Sequence, residues 1–443
     1  MDVKTGSGGG VAARLMVAMR TPSVRRIVEN SGWMMGEQVL KLVGALAIGI
    51  LIARHLGVSQ FGELGFAMAY TGLFSILGTL GLNRIGVREL VTARNEGRDP
   101  AAILDTMLAM RVVVGLLLAP LSVGIAWFFD QGNLRLILIL APMFLLSSLD
   151  VVELWFQSQT MAKRTSSARS LTYLLVAGFR IVLLVTNAGI AWFTAAYLLE
   201  FVGAAIALFV VFRRSKARFE LSRVDPRLAA RLIGESWPEI IAGFAGLLFI
   251  RLDQVMLGNL MGNHAVGIFA VASRLSESWY FVPIALVSST FPSIVRVRDS
   301  DPAMYVRRIG NLMRGLVALS YGAILVTTLA APRVIVMLYG AQYQDSARVL
   351  TIHIWCGLFM ALGLASGSWI MAEKRVKLNL YRNLCGAAVN IVLNLVLIPR
   401  YGPVGASFAT LISLIVAYML FDMVTPEMHA ISRAKWRALL LLP

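Results

Sequence analysis

The chain has 443 residues, of which 58% are hydrophobic and only 15% charged. That balance excludes an ordinary soluble domain. The net charge of +17 does not point to nucleic acid, because the cations fall between long apolar blocks instead of forming one basic patch. Two cysteines, Cys356 and Cys385, and four scattered histidines show no metal spacing, so neither a metal site, a cofactor nor a disulfide is expected.

In chain order, the first thirty residues hold no long apolar core before a small-residue cleavage site, and no removable signal peptide is expected. Twelve apolar spans follow, at 33–53, 61–82, 106–128, 134–158, 171–188, 190–212, 236–260, 266–294, 311–331, 349–371, 379–398 and 403–424. Blocks of this length are transmembrane helices, not barrel strands. The expected fold class is therefore an all-α polytopic membrane protein with about 12 transmembrane helices. Twenty-nine cations fall on the side that holds the N-terminus, 5 on the other, and 7 inside spans. The positive-inside rule then places both termini in the cytoplasm. Anionic membrane lipids are natural neighbours of that basic face.

The most basic loop, R-R-S-K-A-R-F-E-L-S-R-V-D-P-R, divides six spans from six. The expected organisation is a cytoplasmic N-terminal segment 1–32, an N-lobe 33–212, a basic linker 213–235, a C-lobe 236–424 and a cytoplasmic tail 425–443. L-G-V-S-Q-F-G-E-L-G-F-A at 56–67 aligns with M-G-N-H-A-V-G-I-F-A-V-A at 261–272. The offset of 205 pairs Gly57 with Gly262 and Gly62 with Gly267. Two halves of even span number run the same way, which predicts a pseudo-two-fold axis along the membrane normal and a cavity between the lobes.

Charges inside the spans are costly, about 2.5–3.5 kcal/mol each at mid-bilayer. Arg111, Arg314 and Arg382 lie near span ends and are expected to snorkel. Glu239 follows Pro238 and reads as a helix-start residue. Asp150 and Glu153 share a face, where they either bind a proton or cation or pair with arginines. Arg251 and Arg274 sit on consecutive antiparallel helices, each about 12–14 Å below the same surface. With Asp253 and Glu277 they form a polar layer that reads either as a binding site or as a structural ion-pair cluster. Arg180 and Lys41 are candidate additions from the first half. Asn390 and Asn394 share one face with Asn383 and suit a wet cavity. No G-x-x-x-x-G-K-[ST] occurs, and no acidic cluster in the loops suggests a catalytic centre, so an enzyme is not expected.

R-L-D-Q-V-M-L-G from Arg251, followed by A-V-G-I-F-A-V-A-S-R-L-S-E-S-W-Y-F-V-P, resembles the seventh and eighth spans of bacterial lipid-linked oligosaccharide flippases. These form the polysaccharide branch of the multidrug/oligosaccharidyl-lipid/polysaccharide superfamily. V-S-S-T-F-P-S-I, V-M-L-Y-G-A-Q-Y-Q-D-S-A and Y-G-P-V-G-A-S-F-A-T are similar to the same family. The resemblance implies two six-helix lobes around a cationic cavity in the bacterial inner membrane. It implies transfer of a polyprenyl-pyrophosphate-linked saccharide to the periplasmic leaflet, with Arg251 and Arg274 as cavity arginines. Lipid II flippases of the superfamily usually have fourteen spans, so twelve favour exopolysaccharide or O-antigen synthesis, with a polymerase and glycosyltransferases as partners. A cation-coupled multidrug exporter of the same superfamily is the alternative.

Overall fold

The structure is a computed structural model that describes residues 22–129, 132–215 and 218–442. Lys4, Arg14, Arg20 and Lys216, counted above for sidedness, lie outside the described residues, as does most of the segment 1–32. The described residues form helices α1 (Pro22–Gly78), α2 (Leu82–Asn95), α3 (Pro100–Phe129), α4 (Leu134–Leu140), α5 (Met143–Leu146), α6 (Val151–Gln157), α7 (Ala162–Val185) and α8 (Ile190–Arg214) in the first half. The second half holds α9 (Pro226–Met261), α10 (Asn263–Ser278), α11 (Phe281–Val295), α12 (Pro302–Tyr339), α13 (Ser346–His353), α14 (Cys356–Ala372), α15 (Val376–Ile415), α16 (Phe421–Val424) and α17 (His429–Leu439).

Among the described residues ten helical segments are long and apolar enough to cross a bilayer. Two of them, Glu29–Asn95 with 67 residues and Lys377–Val424 with 48, are too long for one crossing. At about 1.5 Å per residue each exceeds twice the hydrocarbon thickness. Each is broken where a glycine leaves helical geometry, at Gly57 (φ 75°) and at Gly402 (φ 56°). Divided there, the described residues offer about twelve span-length segments in two lobes.

Two helices start earlier than hydropathy indicates. Asp225 accepts from the Arg227 amide at 2.8 Å, Asp301 from the Met304 amide at 2.9 Å, and a proline follows each. An Asp cap followed by Pro at the first helical position starts a helix whatever the polarity beyond it. The second part of the stretch read as linker is therefore the first three turns of α9.

The repeat is visible in the backbone. Gly57 has φ 75° and ψ 175°, and Gly262 has φ 82° and ψ 174°. The two turns also meet each other. A Cβ on Gly62 would stand 1.8 Å from the Asn263 carbonyl oxygen, and one on Gly267 would stand 2.1 Å from that of Val58. Val58 and Asn263 are themselves 205 apart, so the contact is reciprocal, as at a two-fold interface. Phe61, Phe66, Val266 and Phe269 surround it in one core cluster that draws on both lobes. Tyr343 extends the seam by donating its hydroxyl to the Ala53 carbonyl at 2.9 Å.

Gly62→Ala and Gly267→Ala are expected to lower the thermal unfolding midpoint of the detergent-solubilised protein, each by the equivalent of about 1–3 kcal/mol, because the obstructing atoms are backbone. Gly72→Ala, where a Cβ meets nothing within 4 Å, is expected to leave the midpoint unchanged or raise it.

Candidate functional site

Arg251 on α9 lies 3.7 Å from Glu277 on α10, and 36% of its side chain stays exposed. Arg274 turns toward the other lobe, its guanidinium 5.1 Å from the centre of the Phe61 ring. A Cβ on Gly49 would be 2.8 Å from the Arg274 Nη1 atom, so the glycine makes room for the guanidinium. Glu277 interacts electrostatically with both arginines. Arg251, Arg274 and Glu277 thus form one charged group at the junction of the lobes, carrying one more positive than negative charge.

Asp253 is not in that group. Two residues along a helix is about 200° around it, so Asp253 faces away from Arg251. It is 1% exposed and packs against α15. Asn394 donates its Nδ2 to Asp253 at 2.5 Å and also contacts Asn390 Oδ1 at 3.0 Å. The Thr410 hydroxyl donates to the other carboxylate oxygen. No Lys, Arg or His pairs with Asp253 among the described residues. Asn394 Oδ1 and Asn390 Nδ2 are buried without a hydrogen-bond partner. Asn390 and Asn394, read from sequence as lining a wet cavity with the arginines, are both fully buried around Asp253 instead. Thr410 was missed because it lies 157 residues from Asp253.

The first-half candidates make a separate network. Arg169 reaches Glu153 at 2.5 Å, Asp150 at 3.4 Å and Glu37 at 3.4 Å. Lys41 pairs with Glu37 at 2.8 Å. A cavity of about 90 Å³ beside them is lined by Lys41, Asp150, Arg169, Thr172 and Glu200. Arg180 pairs with Glu200 at 2.9 Å and lies 4.1 Å over the Tyr197 ring, buried and engaged. Glu37, Arg169 and Glu200 were missed as site residues, although Glu37 and Lys41 stand at the i,i+4 spacing that joins side chains on one helix face.

Two cations read as peripheral are integral. Arg111 is 3% exposed and donates to the Thr79 carbonyl at 3.2 Å and to Asn83 at 2.8 Å. Arg382 is 2% exposed, donates to Ser366 at 2.8 Å and Asn379 at 2.6 Å, and stands 3.8 Å from Asp422. Neither snorkels, because each has a polar partner on a neighbouring helix turn. Glu239 lies well inside α9, not at its start, and faces Arg84 at 3.7 Å. With Arg88–Glu235 and Arg231–Glu89 (2.9 Å) it ties α2 to α9 across the lobes at the basic end of the bundle. Beyond the last span, Lys435 on α17 is buried against Asp422 and the Tyr418 carbonyl. Burial pushes the Lys435 ammonium down to about 8, with Asp422 opposing that shift.

Residues 27–298 match the family described as polysaccharide biosynthesis protein. The chain is 25% identical to a probable flippase, AglR, of Haloferax volcanii over 91% of this chain and 84% of the relative. It is 20% identical to the probable low-salt glycan biosynthesis flippase Agl15 of the same organism, over 85% and 79%. Among solved structures it resembles the lipid II flippase MurJ in an inward closed conformation, with a TM-score of 0.71, 14% identity and 93% and 91% of the two chains covered. An inward-facing multidrug resistance MATE transporter follows at a TM-score of 0.64, 13% identity and 89% and 96% covered. The matched segment spans more than half of the chain and holds the glycine repeat, Arg251 and Arg274, and on that ground the chain belongs to the polysaccharide biosynthesis protein family, with the two-lobe fold of the multidrug/oligosaccharidyl-lipid/polysaccharide superfamily.

Proposed function

We propose that this flippase-like transporter moves a polyprenyl-pyrophosphate-linked oligosaccharide repeat unit from the cytoplasmic to the opposite leaflet of a bacterial cytoplasmic membrane, by alternating access between its lobes. The product would feed exopolysaccharide or O-antigen synthesis, which makes glycosyltransferases upstream and a polymerase downstream natural partners. The protein supplies passage and no bond chemistry. Two of the relatives are named as flippases, one of them for glycan biosynthesis, and the cation asymmetry supports both termini on the cytoplasmic side.

The observation that carries this reading is the incompletely neutralised pair at the lobe junction. Arg251 and Arg274 share one carboxylate, Glu277, and Arg251 keeps open surface. A pyrophosphate diester brings about two negative charges and planar oxygen arrays that guanidinium groups bind bidentately. An inside-negative potential assists outward movement of such an anion by about 2.3 kcal/mol per charge per 100 mV. In proteoliposomes carrying a labelled polyprenyl-pyrophosphate saccharide, Arg251→Ala and Arg274→Ala are each expected to slow transfer about ten- to hundredfold, the span of about 1.5–3 kcal/mol for a charged hydrogen bond. Arg251→Lys, which keeps charge but not the planar fork, is expected to fall between. Wild-type rates in both alanine variants, at wild-type folding, would remove the site.

Within the same reading, Asp253 with Asn390, Asn394 and Thr410 is the proposed coupling-ion site. A buried carboxylate with oxygen and amide neighbours and no cationic side chain offers a monovalent cation or proton what the protein itself withholds. Sodium titrated onto the purified protein is expected to raise the thermal midpoint in proportion to the logarithm of its concentration above Kd. Asp253→Asn is expected to abolish that rise, and a rise retained in the variant would place the ion elsewhere. The acidic group of Glu37, Asp150 and Glu153 favours the second reading, a cation-coupled exporter of organic cations. That reading expects cation efflux sensitive to Glu153→Gln and indifferent to Arg251→Ala.

A further inference from the structure

At the basic end, α17 folds back against the first turns of α12 and leaves a groove of about 430 Å³ between them. Arg307 and Arg314 of α12 line one wall, Arg433 and Arg437 of α17 the other. Among the described residues no carboxylate side chain lines it. Gly310 and Ala434 lie between the arginines, and a Cβ on Gly310 would meet nothing within 4 Å, so the groove is open because its lining residues are small. Among the described residues Arg314 donates to Asn311 and to the Leu442 carbonyl at 3.2 Å, whereas the side chains of Arg307, Arg433 and Arg437 have no hydrogen bond or ion pair.

The convergence is held in place. Lys435 stands between Arg433 and Arg437 in sequence and on the opposite face of α17, where it is buried against Asp422 and the Tyr418 carbonyl at 2.6 Å. That contact fixes the rotation of α17 and aims both arginines at α12. Four guanidinium groups around one space repel one another, and an anion relieves the repulsion. The face of α12 that bears Arg307 and Arg314 continues by helical spacing to Ala318, Leu325 and Leu329, all exposed and apolar. A cationic pocket that opens onto a lipid-facing apolar stripe matches a molecule with a phosphate head and acyl chains.

We propose that this groove binds the phosphodiester headgroup of an anionic glycerophospholipid from the leaflet at the basic end, with its acyl chains along α12. The site is distinct from Arg251 and Arg274 and does not depend on the transported substrate. Native mass spectrometry of the full chain, released from neutral detergent containing phosphatidylglycerol or phosphatidylcholine, tests it. Phosphatidylglycerol is expected to be retained and phosphatidylcholine lost. Arg433→Gln with Arg437→Gln is expected to weaken phosphatidylglycerol binding about thirtyfold, from about 1 kcal/mol for each arginine removed near a lipid surface. Ala434→Phe keeps all four arginines and fills the floor, and a comparable loss separates a shaped pocket from diffuse surface charge. Gly310→Leu fills the same floor from α12 and gives the same loss if Ala434→Phe disturbs the packing of α17. Equal retention of both lipids, or full binding in both floor-filling variants, overturns the proposal. So does complete displacement of the lipid by an equal concentration of inorganic phosphate or pyrophosphate, which would make the groove a site for soluble anions.

Discussion

A charge placed in hydrocarbon must find a partner, and this constraint organises the interior of the molecule. Arg111 is matched by a carbonyl and an asparagine, Arg180 by Glu200 and a tyrosine face, and Arg382 by Ser366, Asn379 and Asp422. These partners join helices, although the Nε of each of the three guanidinium groups stays buried without a hydrogen bond. The informative positions are those where the matching stops short. Arg251 pairs with Glu277, which also acts on Arg274, and the groups that donate hydrogen bonds to Asp253 are neutral.

The scaffold is symmetric and its chemistry is not. Gly57 and Gly262 share one backbone conformation, and the Gly62 and Gly267 contacts are reciprocal. Under the same 205-residue offset, Arg251, Asp253, Arg274 and Glu277 correspond to Leu46, Ile48, Ala69 and Gly72. The first half therefore supplies the apolar and small surface against which the second half sets its charges. Arg274 illustrates this, lying over Phe61 and beside the space left at Gly49. Duplicated arginines would face each other across the axis. One charged wall and one apolar wall avoid that repulsion.

The spans, the halves and the pairing of glycines were legible because hydropathy and small-residue spacing are local properties. The cap pairs Asp225–Pro226 and Asp301–Pro302 were legible too, but apolar-window reasoning passes over them. Helical geometry also foretells that Asp253 and Arg251 point apart, since two residues turn the chain by about 200°. What no local rule supplies is which helices become neighbours. Asp253 meets Thr410, Arg88 meets Glu235 and Tyr418 meets Lys435 only through tertiary packing. Lys435 shows this most sharply: counted with Arg433 and Arg437 it is one more surface cation, and in the fold it is the fully buried peg of α17.

The two ends of the lobe junction are held differently. At the glycine end, backbone meets backbone in a close-packed core, and parting it exposes apolar surface and loses dispersion contacts. At the basic end ion pairs lie over a second core cluster, with side-chain exposures of 58% for Arg88, 39% for Glu235 and 70% for Arg84 but only 11% for Glu89. Pairs of that exposure contribute about 0–1 kcal/mol each, since water hydrates both partners when they separate. Those pairs therefore add little, salt weakens them further, and the packing of Leu82 and Leu90 against Leu232 carries this end.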